Sequence, residues 1–170
     1  RRLGLRPKTI IDVGAAWGEW SVQCSRIFSD ARYILVEPLQ EFSDSLRKTV
    51  KDLPDAIYIK TALASEGGEV TMNVHPDLEG SSVYLEEEDS DVNGVPRIVP
   101  ATTLDTLCAS YGAVRPYLIK IDVQGAELDV LTGAEQALQN AEYVILETSL
   151  FESCKGVPLI HDVIAFMKSK

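Results

Sequence analysis

Thr9-Ile10-Ile11-Asp12-Val13-Gly14-Ala15-Ala16-Trp17-Gly18-Glu19-Trp20-Ser21 changes character twice within a few residues. Thr9 to Val13 is β-branched and apolar, the composition of a short buried strand. Gly14 and Gly18 follow at once, and beyond them Trp20, Cys24, Ile27 and Phe28 recur at helical spacing. Strand, glycine turn and helix in that order let a ligand approach bare backbone at a helix N-terminus. The same glycines also suit a simple close packing of strand against helix. Asp12 is the residue that packing does not require. A carboxylate inside an apolar strand is costly to desolvate without a partner, and a cationic ligand would supply one.

Outward from this stretch the pattern repeats. Arg32 to Glu37 reads as a second strand, closed by Pro38, with Leu39, Phe42, Leu46, Val50 and Leu53 along one face of a helix. Ala56 to Lys60 is a third strand, running into Thr61-Ala62-Leu63-Ala64-Ser65. The order β-α-β-α-β predicts a parallel sheet with right-handed crossovers. An inserted segment of about residues 66–100 then breaks the rhythm. It holds an alternating strand at Val70–Val74, a turn-rich acidic run with Glu86, Glu87, Glu88, Asp89 and Asp91, and a short strand at Arg97–Val99. A charge run of this kind is expected to be a solvated loop. Thr102 or Thr103 caps a helix carrying Leu104, Leu107, Cys108 and Tyr111, which Gly112 ends. Tyr117 to Asp122 and Tyr143 to Glu147 complete five core strands, with a helix bearing Leu128, Leu131, Ala134 and Leu138 between them. Pro158 opens a last helix with Leu159, Val163, Ile164 and Met167 inward. The prediction is one α/β domain over 1–170: a Rossmann-like, doubly wound, mostly parallel sheet with helices on both faces.

Composition narrows the partners. A net charge of -10 argues against nucleic acid, whose phosphates want a basic face. No apolar run approaches a membrane span and no signal peptide is evident, so neither a membrane nor a nucleic acid is expected as partner. Cys24, Cys108 and Cys154 are scattered, odd in number and without metal-ligand spacing; they read as reduced packing residues of a cytoplasmic protein.

Asp12, Glu37, Asp122 and Glu147 each tip a different predicted strand. Ligands of open α/β sheets bind outside the carboxyl ends of the strands, where strand order reverses, so four acids converge there. Each alone could be a helix cap. Glu37 stands roughly twenty residues past the glycine turn, where an acid accepts the hydroxyls of an adenosine ribose. NAD and S-adenosylmethionine both carry one. The dinucleotide pattern G-x-G-x-x-G is missing, because the spacing here is Gly14-x-x-x-Gly18, and Asp12 would repel a pyrophosphate. A sulfonium amino acid, positive at amine and sulfur, suits the acids better.

Asp12-Val-Gly-Ala-Ala-Trp-Gly-Glu-Trp-Ser21, Glu37-Pro38, Ser81-Ser82-Val83, Thr103-Leu-Asp-Thr-Leu107, Leu118-Ile-Lys-Ile-Asp-Val-Gln-Gly-Ala-Glu127 and Val130-Leu-Thr-Gly-Ala134 together resemble the FkbM family of methyltransferases. The resemblance runs from Thr9 to about Phe151. It implies a class I S-adenosylmethionine-dependent fold transferring methyl to a hydroxyl of a sugar or natural product. Position 16 is Ala where the family commonly has a polar side chain, and Gln124 stands where Glu is frequent. The final two strands usual in this fold are not found in the sequence.

The resulting site places Glu37 and Pro38 on the ribose and Ala62 and Leu63 beside the adenine. The Gly14, Ala15, Trp17, Gly18 and Ser21 segment holds the methionine portion, with Asp12 on its ammonium. Asp122 is expected to touch the cofactor or act as general base, with Glu147 the second choice for base; either could instead hold a divalent cation with the other, and no metal ligand is assigned. Lys120 should pair with a neighbouring acid, and His75 is expected on a solvated loop. A homodimer stays open, as do two other functions: a binding module that keeps the cofactor but not catalysis, and a nucleotide-dependent oxidoreductase.

Overall fold

Alternation along the first strand sets the two layers of the molecule. The computed structural model describes residues 4–86, 93–152 and 154–170. Glu87, Glu88, Asp89 and Asp91 of the acidic run lie outside them. The elements are β1 (Thr9–Val13), α1 (Glu19–Ser25), β2 (Arg32–Val36), a 3-10 turn (Gln40–Phe42), α2 (Ser43–Asp52), β3 (Ala56–Ile59), β4 (Ala62–Leu63), β5 (Gly68–Val74) and β6 (Val95–Thr102). After them come α3 (Leu104–Ser110), β7 (Tyr117–Ile121), α4 (Glu127–Thr132), α5 (Glu135–Gln139), β8 (Ala141–Leu146) and α6 (Ile160–Lys168).

Five strands form an all-parallel sheet in the order β3-β2-β1-β7-β8. Chain order reverses between β1 and β7, which marks the expected crevice. Side chains of period two divide between the faces. Ile11, Val13, Ile34, Val36, Ile119 and Ile121 meet Leu104, Leu107, Val130, Leu131 and Val163 from α3, α4 and α6. Ile10, Tyr33, Leu35 and Leu118 meet Cys24, Phe42 and Leu46 from α1, the 3-10 turn and α2. Helices thus cover both faces, as the fold reading expected.

The inserted segment is a second sheet of order β4-β6-β5. The strands expected at 70–74 and 97–99 are longer, pairing antiparallel from Gly68↔Ala101 to Val74↔Val95. Pro96 hides the second of them in the sequence. It is tolerated because its partner Asn73 turns its own N–H to Ser82 on the opposite edge. The helix expected through Leu128 and Leu138 is broken instead into α4 and α5. Asp105, from the first turn of α3, accepts from the N–H groups of Gln136 and Ala137, starting α5 afresh. Thr103 caps α3 as expected, its Oγ1 accepting from Thr106 N–H at 3.0 Å. The last helix starts at Ile160 rather than at Pro158, and Ile164 is half exposed where it was expected inward. Among the described residues no helix is long and apolar enough to cross a membrane.

Gly14 fixes how closely β1 and β7 can approach. It has φ of 72°, and a Cβ there would run into the carbonyl oxygen of Asp122. Gly112 has φ of 65°, and a Cβ at that position would meet nothing within 4 Å. In urea unfolding, Gly112→Ala should therefore cost about 1 kcal/mol, the left-handed penalty alone. Gly14→Ala adds a backbone collision and should cost about 3 kcal/mol or more; equal losses at the two positions would contradict this packing.

Candidate active site

Four acids were expected to share one rim, and the structure separates them into two depths. Asp12 follows Ile10 in strand alternation, so it points under α1 and is 0 % exposed. Its Oδ2 accepts from the Ser21 hydroxyl at 2.7 Å. Lys120, its register partner on β7, brings Nζ to 3.3 Å from Asp12 Oδ1, an ion pair that lacks hydrogen-bond geometry and leaves Oδ1 otherwise unpartnered. The same ammonium donates to the Gly14 carbonyl at 3.0 Å and lies 3.2 Å from Asp122 Oδ2. Burial nonetheless holds the Asp12 carboxyl above its ordinary range, the lysine only partly offsetting it. Lys120 is thus the partner of Asp12, and the expected pairing of this lysine with an acid is realised twice.

Above this layer opens a cavity of about 360 Å³. Gly14 and Ala16 from the first turn, Glu37 and Pro38 after β2, and Ala62 and Leu63 of β4 line it. Asp122 and Glu147, after β7 and β8, close its far wall. The structure therefore brings together Gly14, Glu37, Pro38, Ala62, Leu63, Asp122 and Glu147. It does not bring Asp12, Ala15, Trp17, Gly18 or Ser21 to the cavity lining. Gly18 instead packs on α2, where a Cβ would stand 2.9 Å from Thr49 Oγ1. Trp17 lies at the rim, 43 % exposed, its indole N–H donating to Glu79 of the inserted segment at 2.8 Å.

Glu37 is held rigidly. Its Oε2 accepts from Ala16 N–H at 3.2 Å and its Oε1 from Leu39 N–H at 3.0 Å. Burial pushes its carboxyl up to about 7 despite those two donors. Ala16 itself sits at φ of 43°, a left-handed conformation that a short polar residue adopts more readily than alanine.

The far wall is a coupled pair. Gln124 Nε2 donates to Asp122 Oδ1 at 3.1 Å and reaches Glu147 Oε2 at 3.4 Å. A hydrogen bond to Asp122, with burial second, lifts the Glu147 carboxyl well above its usual value. Burial raises Asp122 too, but the bond from Glu147 and the Lys120 ammonium outweigh it and hold Asp122 low. Sequence reading did not assign Gln124 this bridging role, nor Glu79 and Asp129 to the lining. The φ of 52° at Gln124 bends its amide back between the carboxylates, and no side-chain pattern announces such a turn. Glu127, buried in the same motif, holds the turn itself by accepting from the N–H groups of Val123 and Gly125. His75 pairs with Asp77 and stays off the cavity.

Five carboxylates line the cavity, Glu37, Glu79, Asp122, Asp129 and Glu147, and among the described residues no lysine or arginine does. Such walls repel phosphates and accept hydroxyl donors and cations. Among the described residues, no group of three His, Cys, Asp or Glu side chains is placed to hold a metal ion.

A family model described as the methyltransferase FkbM domain matches residues 12–170. Hexuronic acid methyltransferase AglP of Haloferax volcanii is 27% identical over 137 residues, which cover 80% of this chain and 54% of that protein. Methyltransferase sdnD of Sordaria araneosa is 27% identical over 82% of this chain and 65% of its own length. The 2-O-methyltransferase NoeI of Sinorhizobium fredii is 26% identical over 86% and 65%. The chain thus spans between about half and two thirds of the length of these relatives. Methyltransferase FkbM from Methylobacillus flagellatus superposes with a TM-score of 0.67 at 16% identity, over 99% of this chain and 40% of that one.

Two outcomes are expected. Lys120→Met leaves Asp12 buried beside no cation and should destabilise by about 3–5 kcal/mol, with Asp12→Asn in the same chain restoring about 2 kcal/mol; additive losses in denaturant melts would deny the pairing. For Glu37, the folded carboxyl titrates near 7 and the unfolded one near 4.5, so the folded state holds the proton longer. Its contribution to stability is present below about 4.5 and is lost as pH rises to about 7. Glu37→Gln should flatten the fall in stability across that window, leaving the part owed to Glu147, whose shift has the same sign; an unchanged slope would refute the assignment.

Proposed function

The chain belongs to the methyltransferase FkbM family, and from that premise we propose that it binds S-adenosylmethionine in the cavity lined by Glu37 and Asp122 and methylates a hydroxyl oxygen of a small-molecule acceptor. The observation that carries this reading is the lining itself: five carboxylates without a cation, with Glu37 oriented by two backbone amides. A pyrophosphate cofactor does not suit those walls, whereas a ribose and a sulfonium amino acid do. The relative named a 2-O-methyltransferase supports a hydroxyl as acceptor.

In this proposal Glu37, with Pro38 beside it, accepts the ribose hydroxyls, and Ala62 and Leu63 form the apolar wall at the base. The backbone around Gly14 faces the methionine end. Asp12 and Asp122 set against Lys120 alone leave one negative charge beneath that turn, suited to an ammonium. Asp12, Ser21 and Gly18 act from below, by holding the turn in place. When bound, S-adenosylmethionine supplies an electrophilic methyl group.

Glu147 is the group proposed to take the acceptor's proton. Its raised affinity for protons suits a general base working near neutrality, while Asp122, engaged by Lys120 and Gln124, positions it. This inverts the order expected from sequence, which ranked Asp122 first. The remaining work of the chain is to hold the acceptor oxygen in line with the methyl and its sulfur and keep water away.

Calorimetric titration tests the reading. Glu37→Ala should weaken S-adenosylmethionine binding by about 1–3 kcal/mol. Wild-type affinity should fall as pH drops below about 7, because protonated Glu37 loses an acceptor for the ribose. NAD should not bind, and NAD binding in place of S-adenosylmethionine would end the proposal. Glu147→Gln should lower kcat by roughly 10²–10⁴ while sparing cofactor affinity.

A further inference from the structure

A second cavity, of about 380 Å³, adjoins the first at Gln124 and Glu147. Both residues line both spaces. Along the inserted segment, Ser81 and Val83 line the first cavity, and Ser82 between them lines the second. Ser82 is 4 % exposed and its hydroxyl donates to the Gln124 carbonyl at 2.6 Å, tying the segment to the strained turn.

The second cavity carries hydroxyls as well as acids. Thr148 and Ser149 line it, and neither hydroxyl hydrogen-bonds to another described residue. Its charged lining is Glu86, Glu127 and Glu147, and among the described residues no lysine or arginine joins them. Glu127 spends its Oε1 on backbone N–H groups of the turn. What remains toward the space are two free hydroxyls, an amide and carboxylates.

We propose that this second cavity is the acceptor site and that it selects an uncharged, hydroxyl-rich acceptor of the glycoside type, rejecting carboxylated or phosphorylated ones. The inference rests on the methyltransferase reading above. A neutral polyol satisfies Thr148, Ser149 and Glu147 as both donor and acceptor, and presents one hydroxyl at Glu147, the residue shared with the cofactor cavity. A uronate or a phosphate sugar brings its charge against three acids with no compensating cation. Glu86 is the residue of the three whose charge is bound neither to the turn nor to the reacting pair, so it is assigned a role in specificity.

The experiment measures methyl transfer at pH 8 from S-adenosylmethionine to a neutral methyl hexopyranoside and to the matching methyl hexuronoside. Ligand-observed NMR follows binding of each, and calorimetry follows the cofactor. The neutral glycoside should be preferred at least tenfold in kcat/KM. Thr148→Val should raise its KM about five- to tenfold, the loss of one hydrogen bond, with cofactor affinity unchanged. Glu86→Lys should narrow the preference at least threefold by admitting the uronate. Equal or better use of the uronate by the wild type would overturn the proposal, as would binding of neither glycoside while the cofactor binds normally. Absence of cofactor binding would overturn the methyltransferase reading beneath it, so the two failures are told apart.

Discussion

Lys120 stands at the point where the sheet changes direction, and the site is assembled around its ammonium. It touches Asp12 of β1, the carbonyl of Gly14 and Asp122 beyond β7. At 3.3 Å and an effective dielectric near 20, one such pair is worth about 5 kcal/mol before desolvation. Desolvation wins at Asp12, whose carboxyl is held above its ordinary range. The arrangement is therefore weak evidence for stability but strong evidence for geometry, because removing either partner strands a buried charge. It locks the ends of the two central strands at one spacing, and Gly14 is the residue that permits that spacing.

From this lock the electrostatics of the crevice follow. One cation is spent below the surface, so the walls above it keep their negative character. Glu37 is aimed by backbone amides from Ala16 and Leu39, and Gln124 spans Asp122 and Glu147. Two carboxyls that titrate unusually high thus stand on opposite walls of one cavity. Their causes differ: burial dominates at Glu37, and a shared hydrogen bond dominates at Glu147. That difference suits a holding role for the first and proton transfer for the second.

The parallel core was legible because its strands are apolar runs ended by acids, and each intervening helix shows its periodic face. Gly14, Glu37, Ala62, Leu63, Asp122 and Glu147 were picked out by those landmarks, and they line one cavity. Asp12 was misplaced in depth because its type was read without the period-two rule: Ile10 and Asp12 share a face, and that face is covered by α1. The break between α4 and α5 was missed because its cause, Asp105, lies some thirty residues upstream. Trp17 was placed at the site by its neighbourhood in sequence, and its indole reaches the rim through Glu79, 62 residues away in the chain. Long-range partners of this sort leave no local pattern.

The Trp17 indole has an optical consequence. Of the two tryptophans in the chain, Trp20 of α1 is partly buried against the core, whereas Trp17 straddles the rim, half in water and bonded across to Glu79. Any occupant that shifts the inserted segment changes the polarity around one fluorophore and leaves the other as an internal standard. The protein thus carries an intrinsic emission gauge of whether its crevice is filled.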